Sequence, residues 1–295
     1  IAVDTVNTSN PSAQNYGVYA LGQYGEKGDI DLAGKKFTVD VSGASQGSTG
    51  LVAASLGESS SLSADFGNIS IKADGDGIKS QTLPSQSEEF EAKVNVSATD
   101  KLDIAAQNGI VANTRYGQST IAVQAGDMSV AAKDYAVLGW SDLTQNDTAS
   151  TTISVTGNNI TLRSGMAGVY SDVQNLHGNT SLIDVQADTG LTINAPLVAY
   201  SFSGGASAEN GTINLNTDGR GRTRLTGAIV ALHKSQTNVG LNTKDSFWEG
   251  FAQDARADAN QTGTINVTAT EGATWHVRPV TDDYAAVAGD SKSYL

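Results

Sequence analysis

Hydrophobic residues along this chain recur as short alternating triplets, apolar-x-apolar, separated by turn residues. Clear examples are Val94/Val96 then Leu102/Ile104, Ile121/Val123 then Met128/Val130, Ile153/Val155 then Ile160/Leu162, and Ile183/Val185 then Leu191/Ile193. Ile265/Val267 then Trp275/Val277 repeats the pattern near the C-terminus. A period of two residues is the signature of a half-buried strand, and the Gly, Asn and Asp between triplets mark turns.

A second motif precedes each pair: glycine, an apolar residue, a variable residue and a small one. It reads Gly17-Val18-Tyr19-Ala20, Gly50-Leu51-Val52-Ala53, Gly77-Ile78-Lys79-Ser80, Gly109-Ile110-Val111-Ala112 and Gly168-Val169-Tyr170-Ser171. Weaker copies are Tyr135-Ala136-Val137-Leu138, Pro196-Leu197-Val198-Ala199 and Ala228-Ile229-Val230-Ala231. The spacing is about 30 residues, in the range of solenoid repeats. Three short strands per period predict an all-β, right-handed parallel β-helix (solenoid) of about ten coils, because parallel crossovers are right-handed. The second pair is hard to find between residues 50 and 80, which predicts an irregular or short coil there. Residues 1–240 form the coils on this reading, and 241–295 a C-terminal cap continuous with them.

Composition agrees with this picture. Charged residues are 17% of the chain and there are 32 glycines, so the surface polarity comes from neutral side chains at the outward positions of strands. Net charge is −13, which repels a phosphate backbone and argues against nucleic acid as a partner. With no cysteine, disulfides, thiol nucleophiles and cysteine-type zinc sites are excluded. No apolar stretch is long enough for a membrane-spanning helix.

Beyond residue 240 the texture changes. Ser246-Phe247-Trp248-Glu249-Gly250 and Ala273-Thr274-Trp275-His276-Val277, one coil apart, resemble the terminal coils of passenger domains in the pertactin-like and AIDA-like autotransporters of Gram-negative bacteria. The resemblance covers about residues 240–278 and implies that Trp248 and Trp275 belong to a folding cap. It further implies a secreted protein exposed on the bacterial outer surface. The family continues into a further conserved coil and an outer-membrane β-barrel translocator. Here Arg278–Leu295 offers only a loose echo at Asp283-Tyr284-Ala285-Ala286-Val287, and the barrel is missing from this chain.

Motifs for chemistry are sparse. Gly289-Asp290-Ser291-Lys292 lacks the following glycine of a serine-protease nucleophile. His177, His233 and His276 are scattered, and Asp74-Gly75-Asp76-Gly77 lacks the later ligands of a calcium loop. No metal, cofactor or catalytic residue is expected. Asp142 and Asp172 follow strand-like segments but at different repeat positions, so both read as turn residues. The longer turns, Gln81–Lys93 with Glu88, Glu89 and Glu91, and Gly139–Thr152, are where a rigid scaffold carries function. Candidate ligand-binding residues collected by such loops are Tyr24, Arg115, Tyr116, Trp140, Asp142, Tyr200, Phe202, His233 and Lys234. The expected function is a non-enzymatic adhesin or self-association module. Its partner is a host surface glycan or protein, or another copy of itself. The alternatives are a polysaccharide-degrading enzyme on the same scaffold or a purely structural stalk.

Overall fold

The computed structural model describes residues 1–4, 15–42, 47–83, 90–141, 149–174, 179–204, 211–254 and 262–278. Among them there is no α-helix, and every ladder between named strands is parallel. The chain winds as a parallel β-solenoid with three faces per coil. Face A carries the Gly-apolar motif, with rungs Val18, Leu51, Ile78, Ile110, Val137, Val169, Ala199, Ile229 and Ala252. Face B stacks Ile30, Leu62, Val94, Ile121, Ile153, Ile183, Ile213, Thr237 and Ile265. Face C stacks Val39, Ile71, Ile104, Val130, Leu162, Ile193, Leu225, Trp248 and Trp275. Pairing continues around the corners, so several strands span more than one face, as Glu91–Thr114 and Gly117–Ser141 do.

About seven turns are complete, against the ten expected from chain length. The coil holding Tyr16–Gln23 and the coil holding Thr264–Ala269 and Thr274–Val277 sit at the two ends with incomplete neighbours, which lowers the number stacked on both sides. The coil between residues 50 and 80 is short, with 27 residues from Gly50 to Gly77 against 33 and 32 in the coils on either side. Its register shifts between Phe66 and Asn68, yet Leu62/Ala64 and Ile69/Ile71 stack under Val94/Val96 and Leu102/Ile104. Ala64 hides the pattern in sequence because a methyl is a weak apolar signal, yet it is buried like the rest. Two motif copies are displaced. Ala136-Val137-Leu138-Gly139 stands over Gly168-Val169-Tyr170-Ser171, one residue from the sequence assignment. Val198-Ala199-Tyr200-Ser201 replaces Pro196–Ala199, because a bulge between Asn194 and Ala199 absorbs two residues.

The interior is one apolar column built from alternate residues of all three faces. Burial of such side chains, at roughly 25 cal/mol per Å² of apolar surface, is the main force holding coil to coil. One corner departs from the apolar rule. Between faces A and B a line of buried hydroxyls replaces apolar groups. The Ser80 hydroxyl donates to Ala92 O at 2.6 Å, and Ser119 donates to Ser80 O at 2.8 Å. Ser171 bonds Ser181 at 2.9 Å, and Ser201 bonds Ser235 and Thr237 at 2.9 and 3.0 Å. Where the motif ends in serine, at Ser80, Ser171 and Ser201, the hydroxyl turns the corner with a hydrogen bond made.

Candidate functional site

The outer surface of face A is unlike those of faces B and C. Because Val18, Leu51 and their equivalents point inward, the residues after them point out. One outward row reads Tyr19, Val52, Lys79, Val111, Leu138, Tyr170, Tyr200 and Val230. A second reads Leu21, Ala54, Gln81, Asn113, Trp140, Asp172, Phe202 and Leu232. Toward the C-terminal half these rows become aromatic. Tyr170 stacks on Tyr200 with centroids 4.8 Å apart at 10°, and Tyr135 meets Tyr170 edge-on at 4.9 Å. Phe202 packs against His233 at 4.7 Å. Leu197, Tyr200, Val230, Leu232 and Phe251 are buried in this second apolar layer outside the coil, while Tyr135, Tyr170 and Phe202 remain half-exposed.

Asp172 is the carboxylate within the strip, on the same row as Trp140 and Phe202. It accepts from Tyr170 Oη at 3.5 Å and from Gln174 Nε2 at 3.2 Å. Burial, and then the charge of Asp172, raise the Tyr170 phenol far above its ordinary pKa. Burial also raises Tyr135, helped by Asp134 and Asp172. Trp140 is half-exposed, and its buried indole N–H has no acceptor among the described residues. Ring faces beside a carboxylate suit stacking on the apolar side of a sugar, with the carboxylate taking its hydroxyls, or contact with an aromatic-tolerant protein surface.

Sequence-predicted residues fall into three groups. Trp140, Tyr200 and Phe202 come together on face A, but as rungs of the strands Gly117–Ser141 and Thr180–Gly204 rather than as loop residues. Asp172 too is a strand rung, in Ala167–Gln174, and not a turn residue. His233 and Lys234 turn the chain at the end of the same face with φ of 54° and 63°. Tyr24, 88% exposed, lies at the same corner in the first coil, several rungs away from the aromatic strip. Arg115 and Tyr116 form a turn whose amides donate to Thr82 Oγ1 at 3.2 and 3.3 Å, two and three residues beyond the Asn113 that pairs with Trp140. Asp142, His177, Glu88, Glu89, Asp283–Val287 and Gly289–Lys292 lie outside the described residues. Tyr135 and Tyr170 were missed as site residues. Their signal was present, since Tyr170 holds the variable position of a strong motif copy.

Trp248 is fully buried, donates to Gly227 O at 2.9 Å, and stacks on Trp275 with centroids 4.3 Å apart at 6°. The two tryptophans are consecutive rungs of face C, as the spacing of their strings requires. Asp74 and Gly75 form a bend, and Asp76 is tied to Lys79 at 2.8 Å and Asn108 at 2.9 Å. Among the described residues no group of three or more His, Cys, Asp or Glu side chains is placed to hold a metal ion. Two surface depressions, of about 410 and 270 Å³, lie away from the aromatic strip. One follows the corner of Ala73, Ala106 and Ala132, and the other the polar outside of face B. Neither contains an aromatic ring. Compared with the models of known protein families, with curated proteins and with solved structures, the chain has no match.

Proposed function

We propose that the chain is the passenger of a secreted, cell-surface autotransporter, a non-enzymatic rod with right-handed coils that acts as an adhesin or self-association module. The observation that carries this reading is the aromatic strip on face A, where Trp140, Tyr170, Tyr200 and Phe202 are held on strand rungs around Asp172. A rigid strand scaffold presents rings with little ordering cost, which favours binding over chemistry. The terminal strings around Trp248 and Trp275, which resemble autotransporter passengers, support placement at the bacterial outer surface, with the translocating barrel outside this chain. The partner is a surface glycan or protein, or a second copy.

The test is binding of the purified chain to host cells and to a glycan array, beside Trp140→Ala. Loss of a central aromatic anchor costs about 2 kcal/mol or more, a fall of roughly thirtyfold, with the thermal melt little changed. Retained binding, or release of reducing ends from polysaccharide, would overturn the adhesin reading. Sedimentation at low and high salt tests the self-association arm: screening of the acidic surface should favour assembly, and a monomer at both removes that arm.

A further inference from the structure

The net charge of −13 hides an uneven distribution. On the outside of face C, three successive coils carry Asn159, Thr161 and Arg163, then Gly190, Thr192 and Asn194, then Arg222, Arg224 and Thr226, in register. Arg163, Arg222 and Arg224 are exposed, and Arg220 is exposed in the turn that leads into the last coil. None of the four guanidinium groups has a hydrogen bond or ion pair among the described residues. Three other cations of this face are paired, Lys72 with Asp40, Lys101 with Asp103, and Arg278 with Glu249. Lys36 has no ion pair among the described residues and stands in the first coil, far from the arginines.

None of the described carboxylates around the patch is ion-paired with its arginines. Glu249, on the next rung beside Thr226, is held by Arg278. Asp127, on the rung before Asn159, accepts from Asn159 Nδ2 at 2.8 Å. Asp188 and Asp218 occupy the adjoining corner without an ion pair to the arginines. Arg163 and Arg224 lie two coils apart, ~9.6 Å along the axis, and Arg222 and Arg224 are ~6.8 Å apart along a strand. The Debye length in physiological salt is ~8 Å, so an incoming anion senses the four arginines, offset in part by Asp127, Asp188 and Asp218 beside them, and little of the distant acidic surface.

We propose that this arginine patch is a second binding surface, separate from the aromatic strip, for a linear polysaccharide bearing sulfate or carboxylate groups. Guanidinium forks bind such oxyanions in bidentate fashion, and the neutral Thr192, Asn194 and Thr226 between them supply hydrogen bonds to sugar hydroxyls. The flat face has a charge spacing set by the coil repeat, which suits an extended chain with regularly spaced anions. On the outside of face C these three coils carry no aromatic ring, and Phe247, on the next rung beside Arg224, is packed edge-on against His276, which favours a glycan over single-stranded nucleic acid.

Fluorescent heparin, carrying sulfates, and polygalacturonate, carrying carboxylates only, are titrated with the chain at physiological salt. Arg222→Glu/Arg224→Glu is expected to weaken binding about tenfold, from four units of charge change at exposed contacts. Lys27→Glu/Lys35→Glu, an equal change at exposed lysines elsewhere, should leave it within about twofold. Trp140→Ala should leave polyanion binding unchanged, so failure of the patch and failure of the adhesin reading are distinguishable. Response to heparin alone assigns sulfate, and response to both polymers assigns carboxylate as sufficient. Equal effects of the two charge reversals, or no binding by the parent chain, would overturn the proposal. So would duplex DNA of matched charge binding as well as heparin, or loss of a dimer in Arg222→Glu/Arg224→Glu without polysaccharide, which would give the patch to a second copy.

Discussion

Glycine heads five of the eight face A motifs, and at Gly77 it serves closeness rather than a turn. A Cβ on Gly77 would stand 2.5 Å from Ile104 Cγ2 and 2.7 Å from the carbonyl oxygen of Gly109 in the next coil. A backbone carbonyl cannot swing aside as a side-chain tip can. Gly77→Ala is therefore expected to destabilise the solenoid by about 1–3 kcal/mol, read as a lower thermal midpoint. Gly190→Ala is the control, because its nearest neighbours would be 3.4 and 3.9 Å away; it should be neutral or mildly stabilising. Tyr170 gives a pH test. Its raised phenol contributes stability that is fully present below the unfolded pKa of ~10 and is lost as pH rises from there toward the folded value. Tyr170→Phe should move alkaline unfolding to higher pH, followed by circular dichroism; an unchanged midpoint would show that the buried phenol is not what fails. The sequence marked these glycines as recurrent, but only the neighbouring coil reveals what they avoid.

At the level of the strand, the alternation of Ile121/Val123 with Met128/Val130 was enough to locate two of the three faces, because inward apolar pairs must repeat wherever a coil closes on its own core. Registers were legible where glycine fixes the motif and at Ala228-Ile229-Val230-Ala231, and slipped at the other two copies that lack it. Ala136 and Val198 stand at the glycine position of their copies, and without the marker the reading slipped by one residue and by two. The hydroxyl corner was invisible for a different reason. Ser80 and Ser119 are polar letters in sequence, and their burial depends on partners in other coils. The candidate site followed the same division. Trp140, Tyr200 and Phe202 were picked out by residue type, yet their common face follows from strand alternation, which also brings Tyr135 and Tyr170 alongside.

For the whole molecule, the ends differ from the middle. Inward residues of the central coils are buried, whereas Ile265 and Val267 are half-buried and Trp275 is 41% exposed. Each coil holds only its neighbours, so stability is a sum of nearest-neighbour interfaces rather than a property of one closed core. Charge obeys the same geometry: residues far apart in sequence, such as Arg163 and Arg224, come onto one surface because the register stacks them. The unequal size of the coils carries a mechanical consequence. Stacked positions are 32 residues apart between Asp29 and Ser61 but only 24 apart between Asn214 and Asn238. Pulled by its two termini, the rod should fray coil by coil, each detached turn releasing on the order of 80–110 Å of chain. A single-molecule extension trace should show unequal steps, the shortest from the region of Asn214, and one all-or-none rupture would contradict nearest-neighbour stacking. A rod of this kind would yield length gradually, acting as a shock absorber for whatever it holds.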